Sequence, residues 1–323
     1  MLQTRLCDLL GIEHPVINAP MAGTATAALA AAVSNAGGFG LIGGSGGDAD
    51  WLRAQIRATR ERTDRPFGVG FISIYPGLDA LVAVALDERV AAVTHSFADP
   101  SPYIRAAHNA GMKVLAQVQT VAQARAAAAA DVDAITAQGT EAGGHTGIRS
   151  ATLPLIPAVV DAVGDVPVVA SGGIADGRGL AAALMLGAEG VWMGTRFMAS
   201  QEWAGSRWGQ ERLLTATTDE TVLTRAYDLA MNRPFPAAYP ARAIRNDFTD
   251  AWHTHDDEVA TQQPELSAQI RRAESAGDAR VAEVLGGNAV GLIHAIEPAA
   301  DIIRRIIAEA ESILRERPAQ LLR

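Results

Sequence analysis

Residues 166–197 read "VPVVASGGIADGRGLAAALMLGAEGVWMGTRF". A short β-branched run, 166–173, ends in a glycine pair. An alanine- and leucine-rich stretch follows, with Leu180, Ala183, Leu184 and Gly187 on one helical face. A second apolar run, "GVWMG" (190–194), closes the unit. Neither run alternates polar with apolar residues, so each is expected to be buried on both faces. Such strands, joined through a helix, lie parallel in a covered sheet.

The same unit recurs toward the N-terminus. Further apolar runs are "HPVINAP" (14–20), "GFGLIGG" (38–44), "PFGVGFIS" (66–73), "VAAVTHSF" (90–97), "KVLAQV" (113–118) and "DAITAQG" (133–139). Helical stretches lie between them, among them "TATAALAAAVSNAGG" (24–38) with a glycine stop and "DADWLRAQIRATRERTD" (48–64) with Asp48 as N-cap. Eight such strands predict an α/β fold of (β/α)8 type, a TIM barrel. The chain closes with "EPAADIIRRIIAEAESILRERP" (297–318), whose Ile302, Ile303, Ile306, Ile307, Ile313 and Leu314 form one apolar stripe. That stripe predicts the last barrel helix. The excess length falls at 200–288, which carries scattered charges, the proline-rich "NRPFPAAYP" and helical patches. The expected organisation is a barrel from 1–199 and 289–323, with a helical insertion at 200–288 forming a lid and part of the substrate pocket.

Composition removes several chemistries. The net charge of −9 gives no electrostatic reason to expect nucleic acid or an anionic membrane surface. A single cysteine, Cys7, excludes an internal disulfide, a thiolate zinc site and an iron–sulfur cluster. No uncharged apolar run is long enough to span a bilayer, and Arg5 and Asp8 interrupt any leader-like start. Cytoplasm is the default compartment. Lys113 is the only lysine beside 26 arginines. It opens the fifth strand, at the end opposite to where barrels place catalytic groups, so Schiff-base chemistry is not expected.

Attention therefore goes to the C-terminal strand ends. Gly172 and Gly173 after the seventh strand, and Gly194 and Thr195 after the eighth, form the adjacent pair of loops that in barrels binds phosphate through backbone N–H groups. Arg196 is the cation nearest to them in sequence. After the sixth strand comes "QGTEAGGHTG" (138–147), a bare loop with one imidazole, His145, and one carboxylate, Glu141. No G-x-S-x-G nucleophile motif is present. His145 is then the candidate acid or base. Glu141 would either brace the loop through backbone N–H groups, the favoured role, or hydrogen-bond His145. His95, ending the fourth strand, would serve either as a polar group at the mouth or as packing. "GGSGGDA" (43–49) matches a dinucleotide fingerprint only in part, because Glu61 and Asp64 precede the next strand instead of ending it. "WHTHDDE" (252–258) is read as a solvated charged segment, and no metal site is expected.

The ordered set "APMAGTATAALAAAVSNAGGFGLIGG", "TDRPFGVGF", "EAGGHTG", "ASGGIADGRGLAAALMLGAEGVWMGTRFMAS" and "GNAVGLIHAIEPAADII" resembles the nitronate monooxygenase (2-nitropropane dioxygenase) family over nearly the whole chain. Flavin-dependent enoyl-acyl-carrier-protein reductases of the type II group and some NADH:quinone reductases share much of the pattern. The resemblance implies FMN, with its phosphate on Gly172, Gly173, Gly194 and Thr195. Asn18, Ala19, Pro20 and Met21 would lie along the isoalloxazine ring. Gln117 and Gln138 would point to it, and Gly144 and catalytic His145 would stand beside it. The sequence departs from relatives at Gly70, where asparagine is common, at Gln117, where some have lysine, and at His95, where an aromatic residue is frequent. The implied activity is oxidation of an alkyl nitronate, or a nitroalkane, by O2 to a carbonyl compound and nitrite. One alternative is an NAD(P)H-dependent FMN reductase acting on a quinone or enoyl thioester. The other is a non-catalytic flavin-binding protein. A homodimer is compatible with this reading.

Overall fold

The computed structural model describes residues 2–322. Its strands, in chain order, are β1 (Val16–Asn18), β2 (Gly40–Gly43), β3 (Phe67–Ile72), β4 (Ala92–Ser96), β5 (Lys113–Val118), β6 (Ala134–Gln138), β7 (Gly144–His145), β8 (Val168–Ser171), β9 (Gly190–Met193), β10 (Thr221–Thr224) and β11 (Ala241–Ile244). Eight of them form one parallel sheet, ordered β1-β9-β8-β6-β5-β4-β3-β2. A parallel bridge between Ile17 and Phe39 joins its two edges and closes the barrel. Asn18 reinforces the seam: its Oδ1 accepts from Leu41 N–H at 2.8 Å, and its Nδ2 donates to Leu41 C=O at 2.9 Å. The side chain thus supplies the ladder bonds that two short strands cannot make alone.

Strand alternation sorts the residues into two cores. Ile17, Phe39, Leu41, Ala92, Leu115, Ala134, Val169 and Trp192 fill the barrel. The helix Arg5–Leu10 closes its lower end, adding Leu6, Cys7 and Leu10. Val69, Phe71, Val93, Val114, Ala116, Ile135 and Ala137 face outward to the helices. The terminal helix Ala299–Leu321 lays Ile302, Ile303 and Ile306, each fully buried, beside Leu180 and Ala183 of the helix Gly177–Met185. Each such isoleucine contributes roughly 1.5–3 kcal/mol relative to an exposed one.

The segment 200–288 carries five α-helices, and it also carries β10 and β11, which the sequence reading did not anticipate. These strands pair antiparallel with each other, and β11 pairs antiparallel with β7. The register sets Ala241 opposite His145 and Arg242 opposite Gly144. The segment has a small core of its own, in which Tyr227, Phe248, Leu266 and Ile270 meet. It therefore docks on the barrel mouth by backbone pairing to the His145 loop. Among the described residues, no helix is long and apolar enough to cross a membrane.

Candidate active site

The C-terminal strand ends open into a cavity of about 590 Å³. Its floor follows from the alternation just described. Thr94, Gln117, Thr136 and Ser171 share the inward face with Ala92, Leu115, Ala134 and Val169, one layer higher. The filling is apolar below and polar above. Gln117 Oε1, Thr94 Oγ1 and Thr136 Oγ1 are buried without a hydrogen-bond partner. Orphaned buried polar atoms are costly, and Gln117, the one of these three residues that lines the cavity, is placed to meet a polar group of a ligand.

The glycine loops form one wall, on which Gly172, Gly173, Gly194 and Thr195 all lie. Gly172 and Gly173 have φ of 104° and 72°, a region that side chains bearing a Cβ avoid. Thr195 Oγ1 accepts from Gly287 N–H at 3.0 Å, so its own O–H remains a donor. Arg196 does not join this wall. Its guanidinium is buried and donates to the carbonyls of Ala199 and Ala295, and that burial lowers its pKa to about 10. Ala19, Pro20, Met21, Gln117, Gln138 and Gly144 also line the cavity, whereas Asn18 is committed to the barrel seam. Gln138 is doubly occupied: its Nε2 donates to His145 C=O at 3.0 Å, and its Oε1 accepts from Gln119 at 3.0 Å.

His145 lines the same cavity. Gly144, at φ 71°, turns the chain into β7, and the strand pairing fixes the histidine backbone. The imidazole Nε2 lies 3.0 and 2.9 Å from the two oxygens of Asp228. Phe235 stacks on the ring with planes 4° apart, and Phe97 meets it edge-on at 79°. Phe97 holds φ of 69°, strain of a kind that collects where geometry serves a site. Asp228 in turn lies 3.5 Å from Arg233, which pairs with Glu283 at 2.8 Å. Arg233 and Glu283 line the cavity as well. Sequence reasoning missed Asp228, Arg233, Glu283 and Phe235. All four come from the 200–288 segment, and no local spacing ties "AYDLAMNRPF" to a histidine eighty residues earlier.

Glu141 does not bond the His145 ring. Its carboxylate accepts from Thr152 N–H at 3.0 and 2.9 Å and from Thr152 Oγ1 at 3.0 Å. The helix Thr152–Val163 begins after Ala151, which has no capping side chain, so Glu141 caps it from across the loop. The structural role favoured from sequence is what the geometry contains. Glu141→Ala should lower stability by about 1–2 kcal/mol, read from the denaturant midpoint.

His95 is a correction to the mouth position considered from sequence. It is fully buried and faces the surrounding helices, as its strand neighbour Val93 does. It stacks on Tyr103 with planes 2° apart, and its Nδ1 lies 2.9 Å from Ser73 Oγ. Burial lowers its pKa from 6.5 to about 4. The unfolded chain therefore binds a proton below about pH 6.5 that the folded chain refuses until about pH 4. Stability should fall through that window as pH drops, at up to ~1.4 kcal/mol per pH unit from this group. Chemical denaturation of His95→Phe beside the parent, between those two pH values, should show a shallower decline in the variant.

The other sequence features fall elsewhere. Lys113 pairs with Asp133 at 3.0 Å at the start of β5, away from the cavity. The 43–49 run ends β2 and enters the helix Ala49–Arg60, capped by Asp48, as part of the barrel. His253 bonds the Thr249 carbonyl at 2.8 Å, and no group of three or more His, Cys, Asp or Glu among the described residues could hold a metal ion.

The nitronate monooxygenase family model matches residues 3–77 and 71–309. A nitronate monooxygenase of Pseudomonas aeruginosa is 35% identical over 358 residues, covering 94% of this chain and 98% of that protein. A (3aS,4S,5R,7aS)-5-hydroxy-7a-methyl-1-oxo-octahydro-1H-indene-4-carboxyl-CoA dehydrogenase of Mycobacterium tuberculosis is 40% identical over 251 residues, covering 77% of this chain and 68% of that one. The structure of FabK from Thermotoga maritima superposes with a TM-score of 0.90 at 39% identity, covering 99% of this chain and 100% of FabK. With a barrel whose glycine loops, polar floor and single histidine converge on one cavity, the chain belongs to the nitronate monooxygenase family of flavin-dependent oxidoreductases.

Proposed function

We propose that the protein binds FMN in this cavity and oxidises alkyl nitronates, or the parent nitroalkanes, with O2 to a carbonyl compound and nitrite. The observation that carries the proposal is the convergence of His145, the 172–173 and 194–195 loops and the unpartnered Gln117 Oε1 on one cavity. The residues present fit the cofactor. Gly172, Gly173, Gly194 and Thr195 would hold the phosphate with backbone N–H groups and one hydroxyl, without lysine. Ala19, Pro20 and Met21 would flank the ring, and Gln117 Oε1 would accept a hydrogen bond from it. Bound FMN supplies electron acceptance from the nitronate and electron donation to O2.

The chain's own residues handle the substrate. His145 removes the α-proton of a nitroalkane, or hydrogen-bonds the anionic nitro group of a nitronate already formed. Phe97 and Tyr75, with Leu285 from the 200–288 segment, give the cavity apolar wall for the alkyl chain and exclude water. That segment is thereby a lid over the substrate pocket. The test is aerobic turnover of a nitronate by the purified FMN-loaded protein. Nitrite release well above a free-flavin control supports the proposal, and release at the control rate refutes it.

A second reading is favoured by the similarity to FabK and to the carboxyl-CoA dehydrogenase, both at higher identity than the Pseudomonas aeruginosa enzyme. In it the same flavin site takes hydride from NAD(P)H and reduces an enoyl thioester. Rapid anaerobic bleaching of the flavin by NADH or NADPH selects that reading.

A further inference from the structure

We propose that Asp228 is a positioning residue that fixes the tautomer of His145, holding the hydrogen on Nε2 and the lone pair on Nδ1. The inference rests on the reading of His145 as the base given above. A carboxylate offers only acceptors, so its approach to Nε2 at 2.9 and 3.0 Å requires an N–H on that nitrogen. Asp228 is 4% exposed and lies 3.5 Å from Arg233, which Glu283 pairs at 2.8 Å. The row alternates in sign, which is what makes buried charge tolerable.

The ring is held in one orientation as well as one tautomer. Phe235 covers one of its faces, Phe97 abuts it, and the backbone is clamped by Ala241 of β11 and by the Gln138 amide. Nδ1 is then the nitrogen free to take a proton. In the step proposed, the α-C–H bond of the nitroalkane breaks and its proton goes to Nδ1. The electron pair of that bond becomes the C=N bond of the nitronate, with the charge on the nitro oxygens. Nothing is oxidised or reduced at this point, and Asp228 faces the imidazolium that results. Asp228 sits on the helix Ala226–Ala230, and β11 belongs to the same segment. The base is therefore completed only when the 200–288 segment has folded onto the barrel.

The tautomer can be read directly. Long-range ¹⁵N–¹H spectra of the FMN-loaded protein, labelled at histidine, carry a His145 signal identified by its loss in His145→Asn. We expect Nε2–H with a bare Nδ1 at neutral pH. Nδ1–H, a full imidazolium, or the mixture seen for free histidine overturns the proposal. Asp228→Asn should move the hydrogen to Nδ1, because the amide now donates to Nε2, and Asp228→Glu should restore Nε2–H. On a nitroalkane, Asp228→Asn should lower kcat by ~10²-fold or more with little change in KM, and should lower turnover of a preformed nitronate by less than ~10-fold. Equal losses on the two substrates, or a loss under ~2-fold on the nitroalkane, overturn it. If the parent protein turns over neither substrate, the functional reading fails while the spectra still decide the tautomer. If it turns over both and Asp228→Asn behaves like the parent, the positioning claim fails alone.

Discussion

His145→Ala should lower nitroalkane turnover by ~10²–10⁴-fold while the protein stays yellow. The magnitude is that of a positioned general base, and the reason for the split lies in what the side chain touches. The ring meets Asp228, Phe235 and Phe97, whereas the phosphate wall proposed above would be built from Gly172, Gly173, Gly194 and Thr195. In the proposed mechanism, truncation removes the group that accepts the proton and leaves the proposed cradle untouched. A preformed nitronate needs no deprotonation, so its oxidation should suffer far less. Steady-state kinetics on both substrates, with flavin content measured after desalting, separates the two effects. A variant that keeps nitroalkane turnover within ~3-fold of the parent removes His145 from the mechanism.

Gly172→Val should abolish FMN binding. A Cβ at Gly172 would meet Thr152 Oγ1 at 2.8 Å and the Gly139 carbonyl at 3.0 Å, and the backbone φ of 104° is strained for any residue with a side chain. The backbone conformation alone costs about 1–3 kcal/mol. Displacing Thr152 also disturbs the cap that Glu141 makes on it. Because this variant disturbs the fold as well as the cradle, Gly194→Val is its companion. Gly194 has an ordinary φ of −99°, and a Cβ there would touch only Ala19 at 3.4 Å and Met21 at 3.9 Å. The branched side chain should fill the cradle without straining the backbone. Expected results are near-zero flavin content in both, with the melting temperature held in Gly194→Val. Full flavin occupancy in Gly194→Val would move the phosphate site elsewhere.

The barrel was legible because its strands are continuous apolar runs, and each of the eight observed strands falls inside the run that predicts it. The strand ends were legible for the same reason, since parallel strands carry their active groups at one known end. That logic brought His145 and the glycine loops to one cavity. It failed at His95, whose strand position is near the mouth while its parity turns it outward to Tyr103. One residue of register decides the face, and "VAAVTHSF" has apolar residues at both parities. It gave no sign that the Asn18 side chain closes the barrel, a task that only exists once β1 and β2 are neighbours. β10 and β11 were illegible because four-residue strands such as "TVLT" and "ARAI" carry little pattern. Their stabilisation comes from pairing with a two-residue strand far away in sequence. Asp228 was hidden behind that same docking.

In the proposed function, this flavin site takes its electrons from a nitronate. Anaerobic stopped-flow mixing of the FMN-loaded protein with an alkyl nitronate, and separately with NADH and NADPH, tests it most directly. The flavin spectrum should change rapidly with the nitronate, at a rate that supports turnover, and slowly or not at all with either nicotinamide. Rapid bleaching by NADH or NADPH with an unchanged spectrum in the nitronate would contradict it.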